Sequence, residues 1–357
     1  MEKEEKAILW LKMFDFIDNK KILLLINDFG SALNVMQNID KLNKYFTSEN
    51  FNKLKYSCDF NYLDNYILNC EKQGIKILTY LSKDYPNSLK NINDPPMVLY
   101  CKGNLDLLKC ENSIAIVGSR RVTKYGADVT TKFACSLTKA GLVIISGLAD
   151  GVDSIAHKCC LDLNGKTIAV LGSGLNEIYP STNIPLANRI IDNGGLIITE
   201  YKPNEKGLSF HFPKRNRIIA GLSKGVLITE ATLKSGSMHT KDFALEYGKE
   251  LFVVPGRITD IYSFGCNSVI KSLQGSMVLS PQDILDAYNL KYDNIIQKNV
   301  QISIDEQIIL NILKTDELHY DEILEKSKLD VKTLNTLLVK LELKKLITKL
   351  PGNYYCK

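Results

Sequence analysis

Between residues 113 and 254 the chain alternates short, almost wholly apolar runs with longer amphipathic stretches. The runs at 114–117, 142–146, 167–171, 195–199, 225–229 and 251–254 are dominated by Ile, Val and Leu. A strand with one wet face would alternate apolar and polar positions, so these runs predict strands buried on both faces. The helix-length segments between them predict βαβ units, and the fold class is α/β with an extended Rossmann-like parallel sheet.

The two ends of the chain carry a different pattern. Residues 3 to 70 have helical spacing (Ile8, Leu9, Leu11, Met13, Phe14, Ile17, then Ile22 to Ile26), with Phe29-Gly30-Ser31 as a tight turn. A small helical domain over 1–70 is expected, SAM/helix-hairpin-helix-like. Its glycine turn either offers N–H groups to phosphates or only caps the molecule. Pro- and Asn-rich loops at Asp84–Leu89 and Asp94–Gly103 lead into a core at 71–288. Residues 289–300 are charged and Asn-rich and form a linker. In 301–357, helices are expected at Asp305–Lys314, Tyr320–Lys326 and Val331–Lys345, the last presenting Leu334, Leu337, Leu338 and Leu341 on one face. Two short strands around Pro351-Gly352 complete a winged-helix domain.

Composition narrows the chemistry. The 357 residues are 45% hydrophobic with a net charge of only +5, so any basic site must be local. Nine cysteines, none in a Cys-x-x-Cys pair, fit a reducing compartment. The four histidines lack metal-ligand spacing, and no zinc or other metal is expected. The first residues are charged and no apolar run reaches membrane-span length, which points to a cytoplasmic protein without a membrane partner.

Three strand ends share one grammar: Gly118-Ser119-Arg120-Arg121, Ser146-Gly147-Leu148-Ala149-Asp150-Gly151 and Leu171-Gly172-Ser173-Gly174. Such turns build anion sites at the carboxyl ends of buried strands. Arg120 and Arg121 add guanidinium forks that match phosphate geometry. A dinucleotide fingerprint is missing, and no redox cofactor is expected. In Phe210-His211-Phe212-Pro213-Lys214-Arg215-Asn216-Arg217, three cations and an amide open a helix-like run. A surface charge run is the bland alternative; beside a Gly-Ser-Arg loop, phosphate binding is favoured. Ser235-Gly236-Ser237 precedes another helix with Lys241 one turn on. Asp150, Asp153, Glu200 and Glu230 stand at strand ends, where capping helices or orienting arginines is favoured over acid–base chemistry. Asp153 and His157, four apart, are within reach of a structural hydrogen bond. No nucleophile motif is present.

Taken in order, Ile116–Arg120, Ser146–Asp153 with Ala156-His157, Tyr179-Pro180, Glu200, Phe212–Ile218, Glu230-Ala231 with Ser235–Ser237, and Pro255-Gly256 resemble the DNA-processing protein A family, DprA or Smf, over about residues 76 to 285. The resemblance implies a protein that binds single-stranded DNA, protects incoming strands and loads the RecA recombinase in natural transformation, as a homodimer and without a chemical reaction. It assigns phosphate contacts to Gly118, Ser119, Arg120, Arg215, Arg217 and Ser235–Ser237. Arg121, Asn216 and Lys241 are chemically reasonable additions, and Phe212 either stacks a base or lies beneath the loop. Arg120→Glu or Arg215→Glu is expected to abolish most DNA binding without unfolding the protein. The stretch Gly265–Gly275 departs from the family pattern, as do His239 and Lys241.

The rival is a nucleotide-processing enzyme of the lysine-decarboxylase-like phosphoribohydrolase type. Its Pro-Gly-Gly-x-Gly-Thr signature is replaced here by Pro255-Gly-Arg-Ile-Thr259. A third reading, a transcription regulator, finds no arginine for guanine among Lys332, Thr333, Asn335, Lys340, Lys344 and Lys345.

Overall fold

The computed structural model describes residues 1–55, 57, 60–290, 303–313, 317–343 and 346–356. The chain divides into two compact units, Met1–Tyr292 and Asp293–Lys357. Most of the expected linker, and Lys344 and Lys345 of the last helix, lie outside the described residues.

The first unit opens with helices α1 (Lys3–Lys12), α2 (Asn19–Phe29), α3 (Ala32–Gln37), α4 (Ser48–Lys55) and α5 (Phe60–Lys72). Gly30 ends α2 in the left-handed region at φ 81°, and the Ser31 hydroxyl caps α3 by accepting from Asn34 N. That turn is the one read from Phe29-Gly30-Ser31. The helices are not a separate body: Trp10, Ile22 and Leu63 share one buried core with Tyr100, Ala169 and Ile197 of the sheet.

The sheet has nine strands: β1 (Lys76–Thr79), β2 (Val98–Gly103), β3 (Ser113–Val117), β4 (Val143–Ser146), β5 (Thr167–Val170), β6 (Leu196–Thr199), β7 (Gly225–Ile228), β8 (Glu250–Val253) and β9 (Ser276–Met277). They lie in the order β1-β2-β6-β5-β4-β3-β7-β8-β9. The pairs β1/β2 and β2/β6 are antiparallel; from β6 to β9 all neighbours are parallel. β1, β2 and the two-residue β9 escaped the apolar-run reading, because β1 and β2 end in polar residues and β9 is too short to carry a pattern.

Helices α6 (Asn87–Lys90), α7 (Lys124–Lys139), α8 (Val152–Asp162), α9 (Ile184–Asp192), α10 (His211–Leu222), α11 (Ser237–Glu246), α12 (Phe264–Lys271) and α13 (Pro281–Ala287) complete the unit. Ile218 and Ala220 of α10 pack in one buried layer with Ala115 and Val226, whereas Phe133 of α7 and Val152 of α8 pack in another with Ile116 and Leu227. Both sheet faces are therefore covered, which explains why the strands read as continuous apolar runs. From β3 the chain winds outward through β4, β5 and β6, crosses back by α10, and winds the other way through β7, β8 and β9. The strand order thus reverses at β3, and α10 spans the reversal.

The second unit holds α14 (Ile304–Ile312), α15 (Tyr320–Ser327) and α16 (Val331–Leu343) with a sheet β10-β12-β11, made of β10 (Leu318–His319), β11 (Thr348–Leu350) and β12 (Tyr354–Cys356). Ile309, Ile323, Leu334, Leu338, Leu341 and Tyr355 form its core. Gly352 and Asn353, at φ 79° and 62°, turn β11 into β12 and make the expected wing. Among the described residues, no helix is long and apolar enough to cross a membrane.

Candidate nucleic-acid interface

In open parallel sheets, ligands sit in the crevice outside the strand ends where the strand order reverses. A cavity of about 430 Å³ opens there, walled by the loop after β3 (Gly118–Arg121), the loop after β4 (Ala149), the start of α10 (Phe212, Arg215, Asn216) and the loop before α11 (Ser235–Ser237).

Close backbone approach makes the first loop possible. A Cβ on Gly118 would lie 2.6 Å from Val152 Cγ2 and 2.8 Å from the Glu230 carbonyl. Gly151, at φ 76°, lets Val152 N donate to the Ser119 carbonyl at 3.1 Å. Ser119 N donates to the Glu230 carbonyl at 2.8 Å, and the Ser119 hydroxyl donates to the Arg121 carbonyl at 2.7 Å. The loop is thereby fixed while the Arg120 and Arg121 side chains stay exposed. The Arg120 guanidinium lies 5.5 Å from the Phe212 ring centroid, a cation–π contact, and Phe212 in turn lies 5.3 Å from the exposed Tyr179 ring.

Arg215 differs from Arg120. It is buried, and its guanidinium donates to the Gly147 carbonyl at 2.7 Å, to the Val170 carbonyl and to Asn216 Oδ1 at 3.1 Å. Burial pulls its pKa down to about 10, with Asp153 opposing and Arg120 adding to the fall. Asp153 accepts from Gly147 N at 3.1 Å and Ala149 N at 3.4 Å, and its pKa rises because burial outweighs Arg215 and those hydrogen bonds. The cation therefore forms the floor of the cavity and ties the ends of β4 and β5 together. The expectation that Arg215→Glu leaves the fold intact does not survive this burial.

Asn216 faces the other wall, its Nδ2 donating to the Gly236 carbonyl at 3.1 Å. Ser235 and Ser237 share a hydroxyl–hydroxyl bond of 2.8 Å at the start of α11. Their hydroxyls and the first turn of α11 give the wall donors of the kind that hold anions.

A family model described as DNA recombination-mediator protein A matches residues 76–289, more than half of the chain. The chain belongs to the DNA recombination-mediator protein A family. A DprA winged helix domain model matches residues 299–353. The DNA processing protein DprA of Streptococcus pneumoniae is 39% identical over 275 residues, covering 77% of this chain and 91% of the relative. Protein Smf of Escherichia coli is 38% identical over 285 residues, covering 76% and 75%. The crystal structure of the S. pneumoniae DprA superposes with a TM-score of 0.70 at 37% identity, over 80% of this chain and 98% of that one. The structure of DNA processing protein A from Helicobacter pylori, described for its single-stranded DNA binding mode, superposes with a TM-score of 0.54 at 35% identity, over 60% and 95%.

Within this member of the recombination-mediator family, ten of the twelve residues expected at the site line one cavity, and Arg217 and Lys241 do not. Arg217 points away, donating to Glu200 Oε2 at 2.7 Å and Asp94 Oδ2 at 2.9 Å. Lys241 pairs with Asp242 at 2.6 Å and reaches Gln274 at 3.3 Å. For Arg217 the reason is helix geometry, since it stands two residues beyond Arg215, a turn of about 200°; Lys241, four residues after Ser237, is instead held away from the cavity by Asp242 and Gln274. The expected Asp153–His157 contact is also replaced: His157 Nδ1 bonds the Thr167 hydroxyl at 2.7 Å. Thr232, Thr240 and Tyr262 line the cavity without having been singled out, and no local motif marks them. Among the described residues no cluster suited to a metal ion occurs.

Proposed function

We propose that the chain binds single-stranded DNA through its phosphates in this cavity and, as a recombination mediator, protects incoming strands and loads RecA in natural transformation. The observation that carries the reading is the convergence of two exposed arginines and a serine-lined helix start on one crevice at the strand-order reversal. Electrostatic capture of phosphates leaves bases free to pair, as a mediator requires. The aromatic pair Phe212 and Tyr179 beside Arg120 supports a base-stacking edge to the same site.

A binding role is supported over catalysis by the four strand-end carboxylates, which already serve structural partners. Glu230 accepts from Thr123 N at 3.1 Å, Glu200 from Arg217, Asp153 from backbone amides, and Asp150 from the Thr182 hydroxyl at 3.4 Å. A homodimer in the cytoplasm completes the proposal. Among the described residues the outermost strand β9 has no neighbour on its outer edge, where Leu273, Met277 and Leu279 are exposed, Leu273 at 91%, and a second copy would cover it.

Fluorescence anisotropy with labelled poly-dT and a duplex of equal length, across a salt series, tests the reading. Preference for the single strand with a steep salt dependence is the expected result. Equal or negligible binding to the two, or release of free base from nucleoside monophosphates, returns the weight to the nucleotide-enzyme alternative.

A further inference from the structure

The helix that crosses the strand-order reversal is held from both sides. Arg215 and Asn216 anchor its cavity face to the loop after β4 and the loop before α11. On its far side Arg217, only 2% exposed, sits between Glu200 at the end of β6 and Asp94 in the loop before β2. Asn19, the first residue of α2 and fully buried, donates to the same Glu200 oxygen at 3.4 Å. Burial opposes ionisation of Glu200, yet Arg217, Lys12 at the end of α1 and Lys214 hold its pKa below the usual value.

As a stabiliser this cluster is poorly built. Charges taken out of water are compensated only when their remaining hydrogen bonds are made. Among the described residues, Arg217 Nη1, Glu200 Oε1 and Asn19 Oδ1 are buried without a hydrogen-bond partner. Apolar side chains of similar size would fill the space at lower cost. What the charges add is direction: two carboxylates from separate stretches of chain fix the roll of α10 about its axis, and the Asn19 amide holds one of them, Glu200, in place. That roll sets where Arg215 and Asn216 point.

We infer that Arg217 is a positioning residue for the DNA cavity, and that with Glu200, Asp94 and Asn19 it ties the N-terminal helices to the orientation of α10. It acts through Arg215 and Asn216 and touches no phosphate. The N-terminal helices thus act on DNA binding through α10 rather than as a second nucleic-acid module. The inference rests on the cavity being the DNA site.

The test uses the full-length protein with Asn19→Ala, Arg217→Lys and Arg217→Met, at a temperature where circular dichroism shows each variant folded. Poly-dT binding is followed by anisotropy across a salt series. Arg217→Met is expected to weaken binding at least about tenfold with the slope of log K against log salt unchanged, and Arg217→Lys to restore part of it. Asn19→Ala, which removes no charge and lies outside the cavity, is expected to weaken binding about threefold; it decides the matter should Arg217→Met not fold. Unchanged affinity in variants that only melt earlier overturns the inference, reducing the cluster to structural support. A slope lower by about 0.7, the signature of one lost phosphate contact on single strands, overturns it too by making Arg217 a direct ligand. Failure of the unsubstituted protein to bind poly-dT overturns the reading of the cavity itself, and the inference with it.

Discussion

Arg120 and Arg215 line the same cavity but differ in what each holds, so substituting them separates binding from folding. Arg120 is exposed and has no carboxylate partner among the described residues; its guanidinium lies over the Phe212 ring, 5.5 Å from the centroid. Truncation to alanine removes a cation–π contact of about 0.5–1 kcal/mol, which lowers the melting temperature by about 3 °C at most. If the side chain donates to a phosphate, the loss is that of a charge-assisted hydrogen bond, about 1.5–3 kcal/mol, or roughly 10- to 100-fold in Kd. Arg215→Ala instead strips donors from the buried Gly147 and Val170 carbonyls and leaves Asp153 without its neighbouring cation. At about 1–3 kcal/mol for each buried group left unsatisfied, the cost is about 3–5 kcal/mol and a melting shift of about 10 °C or more. Arg215→Glu, which sets a carboxylate against two carbonyl oxygens, should fail to fold. Calorimetry and poly-dT anisotropy on the same samples read both effects. An Arg120→Ala protein with wild-type affinity and salt slope refutes the phosphate assignment; an Arg215→Ala protein that melts with the wild type refutes its structural role.

Other consequences are open to direct measurement. The Cys135 thiol is drawn below its ordinary value, chiefly by its neighbour Cys159, so its iodoacetamide labelling should reach half-maximum at a lower pH than that of an ordinary thiol, and a mapped midpoint at or above the ordinary value contradicts this. Burial lowers the His157 pKa from 6.5 to about 3; the unfolded chain therefore binds the extra proton first, and stability should fall as pH drops from about 6.5 toward 3. His157→Asn should flatten that part of the urea-denaturation profile, and an unchanged slope would exclude His157 as its source. Gly151→Ala places a Cβ 2.3 Å from the Ser119 carbonyl at a backbone angle that side chains rarely adopt. It should cost about 3 kcal/mol and weaken poly-dT binding with it, and a variant of wild-type stability would mean the loop can rearrange.

The chain's linear pattern already determined the parallel core, because strands buried on both faces must be apolar at every position; each of the six runs became a strand. The Gly30 turn, the Ser31 cap and the Gly352 wing were likewise legible, since a left-handed backbone or a first-turn N–H selects its residue type locally. So was the convergence of Gly118–Arg121, Phe212–Asn216 and Ser235–Ser237, for parallel strands bring their carboxyl-end loops to one edge. Sequence alone could not separate Arg215, Asn216 and Arg217. Three neighbours in a charged string look alike, yet helical rotation sends one to the cavity floor, one to the wall and one to the Glu200–Asp94 cluster. Nor could it join the N-terminal helices to the core, because Asn19 and Glu200 lie 181 positions apart and meet only when the sheet is assembled. Residue type is a local property and was written in the chain, whereas which face a side chain presents, and whether a cation meets solvent or a carboxylate, was decided by packing.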